Sequence, residues 1–310
     1  MEIENPPRLP PDLARSFHGR QPGKHLARLA AFIGLYFAAT AAAILLAARL
    51  NPGWQWLALA PVYLLAAASL HGMSLFTHEA VHGTLSRRKW LNDLGGAACA
   101  IPVLQNFAAY RVLHLRHHDH LGEEGDPDHY ANYTRWSWLV FTMNWLRLLI
   151  GYPVYIVAIP VLAFRHASGR ERLGILAEFV ATLALGATLV LLLPAAWLLH
   201  GWLIPMLFIN TMVNIRGMSQ HTLLEHATDE IQGTRSILTR PLVRFFMCNE
   251  NYHLEHHLYP GVPWHHLPEV HRALKPELEQ RGAPYIASYS SFVGEFIRGS
   301  LKRSPLSWKR

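Results

Sequence analysis

Eight histidines fall in three short runs whose spacing suits metal binding: His78-Glu-Ala-Val-His82, His114-Leu-Arg-His117-His118 and His253-Leu-Glu-His256-His257. On a helix, positions i, i+3 and i+4 share a face. The first run therefore offers two imidazoles to one point, and each of the others offers three. Imidazole nitrogen suits Fe, Zn, Cu and Ni, and eight such ligands exceed what one ion takes, so two ions are the natural reading. The chain carries 20 histidines in 310 residues, roughly three times the usual share. Of the rest, His18, His25, His166 and His200 are expected at the surface or interface, as are His265, His266 and His271. His71 shares a helical face with His78 and is expected in the core. His120 and His129 flank the second run, within reach of its ligands. One competing pattern exists: His78-Glu79-Ala80-Val81-His82 also fits His-Glu-x-x-His, the zinc metalloprotease helix with Glu as general base. That reading leaves both His-x-x-His-His runs unexplained and finds no Leu-Asp-Gly for a third ligand. On the two-ion reading, Glu79 lies behind the ligands or faces solvent.

The elements that must hold these runs are membrane helices. Charged residues are 16% of the chain and hydrophobic ones 51%, against about 25% charged in ordinary globular domains. That excludes a disordered tail, a coiled coil and a disulfide scaffold. Cys99 and Cys248 are expected to be reduced. An uncharged stretch over 29–48 is long enough to cross the bilayer, and a second covers 54–77, with Asn51-Pro52-Gly53 as the turn between them. A second hairpin covers 173–198 and 201–216, hinged near His200-Gly201, with Glu178 close enough to its start to reach the interface. The expected fold is an all-α integral membrane protein with four transmembrane helices as two hairpins. Cytoplasmic and interfacial helices carry the histidine runs. The region 136–164 is apolar but interrupted by Arg147, Pro153 and Pro160, and is expected to lie in or under the interface, as is 90–109. Arg49 is the one Lys or Arg of 28 that this topology leaves on the outer side, so the positive-inside rule puts both termini and the histidines in the cytoplasm. The organisation is a cytoplasmic tail over 1–28, a membrane unit over 29–275 and a basic tail over 276–310. No cleavable signal is expected before the first helix, which is read as its own anchor.

The three runs resemble the histidine boxes of the integral-membrane fatty acid desaturase superfamily. Thr77-His-Glu-Ala-Val-His-Gly-Thr84 is similar to its first box. His114 to His118, with Gly125-Asp-Pro-Asp128 downstream, is similar to the second. Asn251-Tyr-His-Leu-Glu-His-His-Leu-Tyr-Pro-Gly-Val-Pro-Trp-His-His-Leu-Pro268 is similar to the third with its following turn. The resemblance covers about residues 28–275. It implies a non-haem di-iron centre, O2 as co-substrate, and removal of two hydrogens from an unactivated chain to leave an alkene. Insertion of oxygen is the alternative, because lipid or carotenoid hydroxylases and ketolases share the boxes and Val262-Pro263-Trp264 also resembles carotenoid oxygenases. The implied ligands are His78, His82, His114, His117, His118, His253, His256 and His257. Family members carry one further histidine after the last span. His226, in Leu224-Glu225-His226, matches that segment best, while His221 lies roughly 500° of helix earlier and so about 140° away from it. His221, His120, Asp126, Asp128 and Glu225 are expected to support ligands from behind, with Asp119, Glu250 and Glu255 as further carboxylates able to fix imidazole tautomers. The partners implied are a membrane lipid or acyl substrate and a separate electron donor, ferredoxin-like or a cytochrome. The chain has no His-Pro-Gly-Gly stretch of a fused haem domain, and two cysteines build no iron–sulfur cluster. The basic balance suits an acidic donor, topology and anionic lipid, and no nucleic-acid partner is expected.

Overall fold

The computed structural model describes residues 7–17, 21–129, 133–224, 227 and 229–302. A short α1 (Pro11–Phe17) precedes α2 (Pro22–Arg49), which starts on a proline whose missing N–H is harmless in a first turn. The turn to α3 (Gln55–Val81) is closed by Gly53 N donating to Asn51 Oδ1 at 3.0 Å. α2 and α3 pack closely because Gly72 has no side chain: a Cβ there would stand 2.6 Å from the Phe32 ring. The last turns of α3 are buried, and they end in His78 and His82.

The segment expected to lie on the surface over 90–109 instead folds back against α3. α4 (Lys89–Ala100) runs antiparallel to it, with Asn92 Nδ2 donating to Ala80 O at 2.7 Å and Thr77 Oγ1 to Gly96 O at 3.2 Å. A 3-10 turn (Ile101–Val103) reverses the chain. α5 (Phe107–Asp119), capped by Asn106, then carries the second histidine run back to the end of α3. α4 nevertheless keeps an exposed apolar edge at Trp90, Leu91 and Leu94.

α6 (Ser137–His166) is one kinked helix where separate interfacial helices were expected; Ile150 leaves helical geometry at φ −137°, ψ 22°. Pro153 cannot bond the carbonyl of Leu149, and Asn210 Nδ2 donates to that carbonyl at 2.8 Å instead. α7 (Gly169–Leu192) opens with a capping box made by Ser168 and Glu171. The hairpin turns over 193–196, at Pro194, rather than at His200-Gly201. Those two residues sit in a π-helical stretch (Trp197–Leu203) that runs into α8 (Ile204–His221). Among the described residues, five helices are long and apolar enough to cross a membrane, where four were expected; α6 is the addition.

The remainder is a cap over the histidine end: α9 (Glu230–Gly233), β1 (Ser236–Ile237), α10 (Pro241–Phe246), α11 (His253–Leu258), α12 (Leu267–Gln280), β2 (Tyr285–Ile286) and α13 (Tyr289–Lys302). β1 and β2 pair in parallel, Ser236 opposite Tyr285. α12 packs Leu267, Val270, Leu274 and Leu278 onto Leu254 and Val262, with Leu9 and Phe17 from the N-terminal segment. The boundary expected at 275 falls inside α12, and α13 seats Phe292 and Phe296 against Met218 and Ile237. Cys99 and Cys248 are buried free thiols.

Candidate metal centre

Three helix ends and one short helix bring imidazoles to one place. α3 supplies His78 and His82 from its last turn, α5 supplies His114, His117 and His118, α11 supplies His253, His256 and His257, and α8 ends on His221. The ring nitrogens form two groups: His78, His82, His114, His118 and His256, and His117, His221 and His257, with the ligand atoms of each within 4.8 Å of one another. His253 joins the second group, its Nε2 3.2 Å from His221 Nε2 and 3.1 Å from His257 Nε2. The groups meet where the His118 and His257 rings stack at 4.2 Å.

The donors fit metal ions. Nε2 atoms face one another at 3.0 Å (His114–His82), 3.1 Å (His118–His114) and 3.3 Å (His256–His118, His117–His221). Two nitrogens about 2.1 Å from a shared ion, at tetrahedral to octahedral angles, stand about 3.0–3.4 Å apart. His117 Nδ1 donates to Asp126 Oδ1 at 2.8 Å and His221 Nδ1 to Gly233 O at 2.9 Å. Neutral rings so arranged turn bare lone pairs toward each other at Nε2, which a cation between them resolves. Burial depresses the imidazole pKa values: His82 to about 4, His118 to about 2 with help from neighbouring His82, His117 and His221, and His114, His253, His256 and His257 well below the ordinary value. The neutral form, which is the ligand form, therefore prevails at neutral pH. His117 is the exception. Burial opposes its protonation, but the hydrogen bond and charge of Asp126 outweigh it and raise its pKa.

His226 and Glu225 lie outside the described residues, as does His18. His221 is turned into the cluster. The rotation argument that set it apart fails because α8 stops at His221 and Leu223 takes φ 73°, so no helix connects positions 221 and 226. Asp126 sits behind His117 as expected, and accepts in addition from Gly122 N and Asp128 N at 2.9 Å each. Asp128 has an exposed side chain, and His120 Nδ1 turns to Arg116 O at 3.1 Å, away from the ligands. Asp119 is exposed.

Several residues read as surface are buried instead. His271 on α12 meets Glu255 Oε1 at 2.5 Å, and Tyr285 OH donates to the same oxygen at 3.3 Å. Ser236 Oγ donates to Glu255 Oε2, so the third run is held from behind by α12 and both strands. His25 and His266 are likewise buried, His25 Nδ1 accepting from Trp264 Nε1 at 3.1 Å. His166 is exposed and His71 buried, as expected. Glu79 neither faces solvent nor lines the cavity described next. It accepts from Thr84 Oγ1 at 2.6 Å and from Trp264 N at 3.2 Å, tying the end of α3 to the segment after the third run. A general base for proteolysis is not available there.

A cavity of about 360 Å³ opens from the imidazoles. His78, His114, His117, His221 and His253 border it at one side, and Leu146, Ile150, Val154, Ile159 and Leu162 of α6 wall another. Arg216, an arginine inside the apolar α8, is the clearest signal that sequence reading passed over. It also borders the cavity, and it is paired with Glu250.

Comparison with known proteins agrees with this geometry. The family described as "Fatty acid desaturase" matches residues 54–289. Relatives include the "sn-1 oleoyl-lipid 12-desaturase" of Picosynechococcus, 23% identical over 71% of this chain and 70% of that protein. The "Dihydrorhizobitoxine desaturase" of Bradyrhizobium elkanii is 28% identical over 76% and 72%. The human sphingolipid delta(4)-desaturase/C4-monooxygenase is 27% identical over 72% and 67%.

Proposed function

The chain belongs to the fatty acid desaturase family and is an oxidoreductase, and from that premise we propose that it is an O2-dependent di-iron enzyme that introduces a double bond into the acyl chain of a membrane lipid. The observation that carries this reading is the shared wall: ligating imidazoles and an apolar channel border one cavity. His78, His82, His114, His118 and His256 would hold one iron, and His117, His221, His253 and His257 the other. His221 takes the ninth position in place of His226, on the strength of its 3.3 Å and 3.2 Å approaches to His117 and His253. When bound, the iron pair supplies the oxidising power that activates O2 for removing hydrogen from an unactivated chain. The protein's own part is positioning and dryness. Leu146, Ile150, Val154, Ile159 and Leu162 bind methylenes and exclude water, while Asp126 and Gly233 O hold His117 and His221 in one tautomer.

The four-span topology is retained. Val140, Phe141, Trp145 and Leu148 of α6 pack near Ile215 and Met218, about two turns or less from the histidine end of α8. At the Ile150 kink α6 meets Asn210, one to two turns deeper, where Asn210 Oδ1 accepts from Tyr152 N at 3.2 Å. Ala163 then packs on Ile175, and Arg172 Nε donates to Phe164 O at 3.1 Å, close to the start of α7. A helix that descends and returns like this leaves both ends on one side. The Lys and Arg distribution puts that side in the cytoplasm, where a separate electron donor reaches the site.

Expression in a host that lacks desaturation, followed by lipid mass spectrometry, tests the reading. A product two mass units lighter is expected. A gain of sixteen would assign a hydroxylase, for which the bifunctional desaturase/monooxygenase relative gives a reason to look. No change in any lipid would refute both.

A further inference from the structure

Carboxylates that support histidine ligands meet them at the nitrogen pointing away from the metal. Asp126 does this at His117 Nδ1. Glu250 departs from that pattern. Its Oε1 lies 3.9 Å from Nε2 of His78, a member of the first imidazole group. Both residues are buried, and each keeps an orphaned atom: His78 Nε2 and Glu250 Oε2 have no hydrogen-bond partner. The ring nitrogen lies 3.9 Å from one oxygen of a buried carboxylate whose other oxygen is unsatisfied, and both orphaned atoms call for a partner.

The chain goes to some length to put Glu250 there. The two residues before it, Cys248 and Asn249, both adopt left-handed backbone at φ 44° and φ 55°; asparagine tolerates that region, but a cysteine there is strained. The turn is held by Asn249 N to Arg244 O at 3.1 Å, Glu250 N to Met247 O at 2.8 Å and Asn249 Nδ2 to Trp264 O at 3.1 Å. Strain of this kind persists where the surroundings over-determine it, and functional sites are where it gathers. Behind the carboxylate, Arg216 Nη1 donates to Oε1, and Gln220 Nε2 stands 3.5 Å from the same oxygen. An arginine facing a cationic centre is tolerable only with an anion between them, and Glu250 occupies that position.

We propose that Glu250 is a carboxylate donor of the metal centre, binding the ion held by His78, with Arg216 as the residue that positions it. The ligand set would then be imidazoles plus one carboxylate. This rests on the two-ion reading above, and titration of the metal-free protein with Co(II) separates the two, since d–d absorption reports the ligands. The unaltered chain should bind two Co(II). In Glu250→Gln, one of the two should bind at least tenfold more weakly with an altered spectrum, while the other is unchanged; groups that only hydrogen-bond metal ligands are already worth 10–100-fold. Arg216→Lys, which keeps the charge, should fall between. Two ions bound with unaltered affinity and spectrum in Glu250→Gln would overturn the assignment and leave the two-ion centre standing. Fewer than two ions in the unaltered chain would overturn both. Should Glu250→Gln fail to fold, infrared difference spectra of the unaltered chain labelled with 13C-glutamate decide the matter. Co(II) should shift a labelled carboxylate stretch, and no shift overturns the proposal.

Discussion

Asp126→Asn replaces a carboxylate by an amide of the same shape at a place where three donors converge. Oδ1 receives His117 Nδ1 at 2.8 Å and Asp128 N at 2.9 Å, and Oδ2 receives Gly122 N at 2.9 Å. An amide has one acceptor oxygen, so either orientation turns its NH2 against at least one N–H. If the NH2 faces His117, the ring must move its proton to Nε2, the nitrogen that points at His221 across 3.3 Å. A ring protonated there cannot ligate. Losing such a partner typically costs 10–100-fold in metal affinity, about 1.4–2.8 kcal/mol at 1.4 kcal/mol per decade. The weakened ion should be the one held by His117, His221 and His257. Metal content per chain after dialysis against a graded chelator is the assay, with Glu124→Gln, an exposed acid in the same loop, as the control expected to match the unaltered chain. If Asp126→Asn holds both ions against the same chelator concentration as the control, the tautomer argument is wrong and Asp126 merely shapes the loop.

His221→Ala should insert normally, lose metal from one site and lose turnover; retained activity would return the ninth position to His226. Reporters placed in the 193–196 turn and after Arg49 should lie outside, and reporters at 133–136 and at Ala167 should lie together in the cytoplasm, whereas a split between the latter two would make α6 a fifth crossing. Acid should weaken the fold partly through His265, whose pKa burial, aided by His266, His25 and Lys24, lowers to about 3. Between the unfolded value of about 6.5 and that value, the unfolded chain takes up a proton that the folded one refuses, so stability falls as pH falls. The drop in thermal midpoint from pH 7 to pH 5 should therefore be smaller in His265→Gln, and an equal drop would show that His265 does not carry this term.

The boxed histidines were legible because their spacing and the helix period are the same fact: once His114, His117 and His118 lie on α5 and His253, His256 and His257 on α11, each triplet has one face to share. Legibility failed where a helix stops. His221 was judged by its angle to His226 on a continuous helix, yet the chain leaves α8 at His221, and a terminus carries no angular memory into the next segment. It fails again where proline reads as a breaker. Pro153 does break the ladder, but Asn210 satisfies the freed carbonyl of Leu149, so α6 bends where separate helices were expected, and the bent helix walls the cavity. The same logic applies to Arg216. A charge within an apolar span costs several kcal/mol unless it is paired, so its presence demanded an anion from a distant part of the chain. Sequence alone states the demand; only the turn at Cys248 and Asn249 shows that Glu250 meets it, with its Oε1 3.9 Å from His78 Nε2.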